Sequence, residues 1–292
     1  MAAKERGHSF LMHFIMIVIS IICLLPLVLL VIVSFSSENS LVTNGYSFFP
    51  SEWSVSAYEY LFYSPTIYRA YGMSILITVV GTVLSLSVTT LLAYSLSIPD
   101  LPGRKALNFL VFFTMLFSGG LVPSYMMWTQ MFGVKNTIWA YLLPNLVANG
   151  FNAMIMRTYF ETNIPKELLE SARVDGANEF KTLLRIVLPV SLPIMATIGL
   201  MSGLAYWNDW TNGLYYVTDK KLNTVQVFLN NMLINAQQLE QMSSSHGLDM
   251  SSMPSTAVRM AVAVAGALPL MCVFPFFQKY FVKGMTLGAV KG

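Results

Sequence analysis

From Phe10 to Phe35 the chain runs without one Asp, Glu, Lys or Arg, and a helix of that length outspans the roughly 30 Å of hydrocarbon in a bilayer. Lipid offers the backbone no water, so such a run must satisfy its own N–H and C=O groups as a helix. Further apolar runs follow at 71–97, 107–132, 137–160, 190–216 and 256–281. The pattern predicts an all-α integral membrane protein with six transmembrane helices. Composition agrees, since 11% of residues are charged against about a quarter in soluble domains. The first run is too long for the apolar part of a signal peptide and has no small-x-small cleavage site. It reads as an uncleaved first helix behind the short segment 1–9.

Six crossings place both ends of the chain on one side. Lys4, Arg6, Arg104, Lys105, Lys166, Arg173, Lys181, Arg185, Lys279, Lys283 and Lys291 then share that side, against Arg69, Lys135, Lys220 and Lys221 on the other. The bias of Lys and Arg toward the cytoplasm makes the ends and the loop 161–189 cytoplasmic. Segments 36–69 and 217–255 fall outside. Trp53, Tyr58, Tyr60, Phe62 and Tyr63 resemble interfacial anchors. Leu222, Val225, Leu229, Met232, Leu233, Ala236 and Leu239 recur at helical spacing and suggest an amphipathic helix on the outer mouth.

Gly72, Gly81, Ser85, Ser87, Thr89 and Thr90 suit the second span to close packing inside a bundle. The third is interrupted by Gly119, Gly120 and Pro123, and the fourth carries Pro144, Asn145, Asn149 and Asn152. Broken or amide-bearing helices persist in lipid where neighbours or cavity water satisfy the freed groups, so these two spans are candidates for lining a pathway. A kink at a protein–protein contact explains any single one of these residues equally well. The fifth span ends in Trp207, Asn208, Asp209 and Trp210. A carboxylate at the bilayer centre costs about 3 kcal/mol, so Asp209 belongs near water or a polar cavity.

The polar insert between the fourth and fifth spans is the most informative stretch. Pro165 suits a helix start, Lys166 to Val174 can follow as a short helix, and Gly176 supplies the left-handed residue that ends it. A second helix from Glu179 is expected to stop at Pro189, with Leu188 extended. The unit is helix, Gly corner, helix. A nine-residue helix needs a partner surface. Leu168, Leu169, Ala172 and Val174 offer an apolar one, while Lys166, Glu170 and Arg173 are spaced to pair along the polar face.

Glu170, Ser171, Ala172, Arg173, Asp175, Gly176 and Ala177, followed by Ile186, Leu188 and Pro189, resemble the conserved cytoplasmic loop of ATP-binding-cassette importer permeases. Ser171 stands where that family more often has Ala. The resemblance implies a type I importer transmembrane domain over residues 10–292 whose coupling helix docks in a cleft on an ATPase subunit. Leu168, Leu169 and Ala172 would supply the contact, Glu170 and Arg173 polar registration, and Gly176 the corner. The ending Gly284, Met285, Thr286, Leu287, Gly288, Ala289, Val290, Lys291 and Gly292 looks like that of the second permease of carbohydrate importers such as the maltose system. There the tail, here 282–292, reaches between the ATPases. The Trp207-Asn208-Asp209 cluster resembles the matching helix of sugar permeases, and the long outer segment resembles a branch handling oligosaccharides, uronate-containing ones among them. The partners implied are a second homologous permease, two ATP-binding subunits and an extracytoplasmic solute-binding protein. A sugar pathway would draw on Asn145, Asn149, Asn152, Trp207, Asn208 and Asp209.

Other chemistry is not indicated. No Gly-x-x-x-x-Gly-Lys-Ser/Thr loop occurs, so no cofactor is expected on this chain and ATP with Mg would bind the partner ATPase. His8, His13 and His246 show no metal-ligand spacing, and Cys23 and Cys272 each sit in apolar runs. A net charge of +3 argues against nucleic acid, and the outer basic residues are too few to argue for an anionic sugar. An ion-coupled secondary transporter would place acidic or His relays near mid-membrane, and a non-transporting scaffold gives no reason for the polar insert.

Overall fold

The structure, a computed structural model, describes the backbone of residues 2–63, 65–144, 146–246 and 256–289, and side chains for 12–63, 65–144, 146–235 and 256–276. Among the described residues the regular structure is helical apart from one isolated bridge, Ser36 to Trp53. The chain divides into two compact units, Met1–Tyr68 with Leu229–Pro269, and Arg69–Phe228 with Leu270–Gly292.

The first unit opens with α1 (Ala2–Ser34). Residues 12–28 of its apolar stretch are all exposed, as suits a helix whose solvent is lipid, and its end at Val33 and Ser34 is buried. Two short helices follow, α2 (Glu38–Asn44) and α3 (Ser56–Tyr63). They are tied back to the end of α1, where Ser34 Oγ lies 2.8 Å from Tyr58 OH and the Phe35 and Tyr58 rings are 4.7 Å apart. The Glu38 carboxylate accepts the backbone N–H groups of Thr256 and Ala257. An acid there satisfies orphan donors at the start of a later helix and complements its dipole.

The second unit is built on α4 (Pro65–Ser97), which begins six residues before the apolar run 71–97. Of the small residues the sequence singles out, Gly81, Ser85, Thr89 and Thr90 are buried, whereas Gly72 and Ser87 are exposed; a Cβ on Gly81 would sit 2.6 Å from the Tyr206 ring. Next come α5 (Arg104–Leu116) and α6 (Leu121–Met131), bent 114° to each other. Gly120 takes φ +84° in the break, and the last turn of α6, Met127–Met131, is a π-helix. The run 137–160 is one turn, α7 (Trp139–Leu142), then non-helical chain through Pro144, then α8 (Gly150–Asn163). Proline removes a helix donor, and Asn149 restarts the helix by accepting the Asn152 N–H at 3.0 Å as an N-cap.

The insert forms α9 (Lys166–Val174) and α10 (Glu179–Val190), and α11 (Leu192–Trp207) follows at 88° to α10. After α11 come α12 (Thr211–Tyr216), α13 (Val225–His246) and α14 (Thr256–Ala289). Among the described residues, three helices are long and apolar enough to cross a membrane, or up to five if each bent pair is one crossing. The difference from the six apolar runs lies at 137–160, where no single helix is long enough.

Two apolar clusters hold the second unit. Ile77, Tyr141, Tyr206 and Tyr216 centre the first, and Tyr94, Met156, Phe160, Leu183 and Ile198 the second. Ile77 and Tyr94 lie about 25 Å apart along α4, so the clusters brace opposite ends. Beside the first, Asn136 adopts φ +57° and its Oδ1 accepts the N–H groups of Thr218 at 2.6 Å and Asp219 at 3.1 Å. Asparagine visits this conformation more readily than most residues. Gly213 is the tightest point, because a Cβ there would overlap Val227 Cγ2 and lie 2.7 Å from Tyr141 OH. Gly213→Ala is expected to destabilise the second unit by about 1–3 kcal/mol through overpacking, read as a lowered thermal unfolding midpoint in detergent, with Gly199→Ala as the unaffected control.

Candidate functional site

The site is the α9–α10 corner. Pro165 stands at the N-cap, one position earlier than the first helical turn expected of it, and gives its carbonyl to the Leu168 N–H. At the other end the Ala177 N–H reaches Ala172 O at 2.9 Å and the Gly176 N–H reaches Arg173 O at 3.1 Å. With Gly176 at φ +73° this is a Schellman closure. Asn178 then caps α10, its Oδ1 accepting the Lys181 N–H at 2.8 Å. Two helices therefore meet at a corner closed by hydrogen bonds between Ala172 and Lys181.

The chain past this corner departs from the sequence expectation. Leu188 is helical (φ −59°, ψ −49°), and the break comes at Ser191 (φ −98°, ψ 15°). A π-helical turn at Leu183–Val187, in which the Leu188 N–H reaches Leu183 O, opens the ladder just ahead of Pro189. The proline ring then escapes the carbonyl it would otherwise meet.

The side chains of α9 also divide differently from expectation. Ala172 is buried and Leu169 packs against the Tyr94–Met156–Phe160 cluster, so both hold the helix to its own chain. The apolar groups that project are Leu168, Val174 at 87% exposure and Phe180 at 61%. Phe180 carried no functional reading in the sequence, although an aromatic one turn past a Gly corner is such a signal. Glu170, Ser171 and Asp175 are exposed. Arg173 does not pair along α9: its guanidinium lies 3.2 Å from Glu179 Oε1 and 3.9 Å from Asp100 Oδ2. Glu179 Oε2 in turn accepts the Tyr94 hydroxyl at 2.6 Å.

Behind α9 lies a cavity of about 250 Å³, bounded by Tyr94, Arg104, Glu161, Lys166 and Glu179 among others. Arg104 donates to Leu96 O at 2.7 Å and pairs with Glu161. Arg157 pairs with Glu161 at 2.9 Å and donates to Asn108 Oδ1 at 2.7 Å. The adjoining ends of α4, α5 and α8 are thus laced together by two arginines. Sequence reading counted Arg104 for sidedness only, since its partner Glu161 lies 57 positions away.

The pathway candidates differ in burial. Asn152 and Trp207 are buried within the chain. Asn149 is the exposed cap of α8, and Asn208 is exposed with its amide on Leu204 O. Asp209 accepts the Asn212 N–H at 3.0 Å and starts α12, while Asn212 reaches Pro144 O at 3.1 Å. Asn145, Val290, Lys291 and Gly292 lie outside the described residues. In place of a tail separate from the last span, α14 runs on to Ala289, so Gly284, Thr286, Gly288 and Ala289 are helical backbone.

A family model described as binding-protein-dependent transport system inner membrane component matches residues 70–287, from α4 through the corner to the end of α14. The chain belongs to that family. This permease is 37% identical over 289 residues to the polygalacturonan/rhamnogalacturonan transport system permease of Bacillus subtilis, covering 99% of this chain and 100% of that one. It is 29% identical over 280 residues to the trehalose/maltose transport system permease of Thermococcus litoralis, covering 94% of each. A chain of a bacterial ABC transporter involved in the import of the acidic polysaccharide alginate matches with TM-score 0.81 and 28% identity, over 95% of the permease and 98% of that chain. The permease is an all-α integral membrane protein with the fold of an ABC importer transmembrane domain.

Proposed function

We propose that this permease forms half of the path by which an oligosaccharide, of a class that includes uronate-containing chains, crosses the cytoplasmic membrane. It pairs with a second, homologous permease, receives sugar from an extracytoplasmic binding protein, and takes its energy from ATP and Mg held by two separate ATPase subunits. Its ends and the α9–α10 corner face the cytoplasm, in keeping with the Lys and Arg bias. The observation that carries this reading is the completed corner at Gly176, which holds Leu168, Val174 and Phe180 away from the bundle as an apolar face for an ATPase cleft. Glu170, Ser171 and Asp175 supply its polar rim. The relatives named for polygalacturonan/rhamnogalacturonan and for alginate support an acidic sugar.

Closure of the ATPases would carry α9 with it and rock the bundle between inward-facing and outward-facing states. The test is uptake into vesicles holding the assembled transporter. Labelled oligogalacturonate is expected to accumulate only with ATP and binding protein present. Accumulation on an ion gradient without nucleotide would overturn the proposal, and preference for neutral maltodextrin would overturn its acidic-sugar part.

A further inference from the structure

We infer that Tyr94 and Glu179 are positioning residues that latch α9 to α4 and convert ATPase movement into movement of the bundle. This rests on the reading of α9 as the ATPase-docking element. Three elements meet at one carboxylate. Glu179, at the start of α10, accepts the Tyr94 phenol of α4 through Oε2 at 2.6 Å and the Arg173 guanidinium of α9 through Oε1 at 3.2 Å. Both bonds are charge-assisted; the Tyr94 bond is the short one, and the 3.2 Å contact with the half-exposed Arg173 is the weaker arm.

Apolar packing alone does not fix α9 in this way. Leu169 and Ala172 anchor one face of it, but the cavity behind the helix leaves space beside Lys166 and Arg104. Apolar contact is also non-directional, so it resists lifting α9 off the bundle more than sliding it along. The latch opposes sliding. Asp100 adds little, since its carboxylate is 85% exposed and 3.9 Å from Arg173, a geometry that solvent screens.

What the latch grips is itself rigid. Tyr94 lies two residues before Leu96, whose carbonyl holds Arg104, and Arg104 and Arg157 join α4, α5 and α8 through Glu161 and Asn108. A pull on α9 arriving at Tyr94 is therefore shared by three helices. Without the phenol, α9 can still dock and the ATPases can still close, but the helix slips over α4 and leaves the bundle behind.

The test compares Tyr94→Phe, Glu179→Gln and their combination with the wild type in the fully assembled transporter. Tyr94→Phe keeps the ring in its cluster, so co-purification of the ATPases and ATP hydrolysis are expected to persist. Sugar moved per ATP should fall about tenfold, the loss expected of one charge-assisted hydrogen bond. The double variant should transport no worse than the poorer single one, because both cut one network. Spin labels at Ser171 and Lys105 should report a single sharp distance in the wild type and a broad one in Tyr94→Phe. Unchanged sugar per ATP together with an unchanged distance distribution in Tyr94→Phe would overturn the latch. Failure of the docking reading is separable: ATPases would then stay bound when Val174 and Phe180 are replaced by Asp, whatever Tyr94→Phe does.

Discussion

A permease carrying Gly176→Val is expected to reach the membrane at wild-type abundance and to lose at least about tenfold of its oligosaccharide uptake. The reasoning is confined to the backbone. A Cβ at Gly176 meets nothing within 4 Å, so no clash with neighbours enters. What valine cannot do is hold φ +73° without a penalty of about 1–2 kcal/mol or more for a β-branched residue. The corner can relax only by giving up the bonds from Ala177 to Ala172 and from Gly176 to Arg173. Relaxation turns Arg173 away from Glu179 and changes where Val174 and Phe180 project. Gly176→Asn should keep most of the uptake, since asparagine tolerates this conformation. Uptake normalised to membrane abundance, measured beside ATP hydrolysis, checks both variants. Wild-type uptake by Gly176→Val would refute the corner's role.

Replacing Val174 and Phe180 together by Asp is expected to release the ATPase subunits while leaving the membrane bundle folded. Both side chains are exposed, so the isolated permease loses no packing. Burying an apolar side chain of this size stabilises a contact by about 1.5–3 kcal/mol. Losing two weakens association by about 3–6 kcal/mol, roughly a hundredfold to ten-thousandfold. Co-purification after detergent extraction measures it. Leu169→Asp provides the contrast, because Leu169 packs inward; it should lower the thermal midpoint of the permease itself. Retention of the ATPases by the Val174/Phe180 variant would mean that another surface carries the docking.

The sequence was most legible where one residue type has one physical use. Long charge-free runs leave a chain in lipid no option but helix, and α1, α4 and α14 follow from that alone. Gly176 announced the corner because a left-handed residue has narrow requirements; the Asn178 cap became visible only in the structure. Less legible was which way α9 faces. Leu168, Leu169, Ala172 and Val174 form one apolar set by composition, and only the packing around Tyr94 and Phe160 divides them into two that anchor and two that project. The Tyr94–Glu179 bond spans 85 positions, and no local pattern marks it. The break within the run 137–160 was hard to place for a related reason. Hydropathy averages over Pro144 and Asn149, whereas the backbone answers to each of them singly.

Ser191 gives the bend between α10 and α11 its mechanical meaning. Its side chain is fully buried, and its N–H is shared by Val187 O at 3.0 Å and Leu188 O at 3.1 Å, so the elbow is stiff. Two arms of about 18 and 24 Å held at 88° make a bell crank. A swing of about 10° imposed on the short arm sweeps the far tip of the long one through about 4 Å, more than the width of a water molecule. A modest tug at the foot of the molecule thus becomes a gap at its far end.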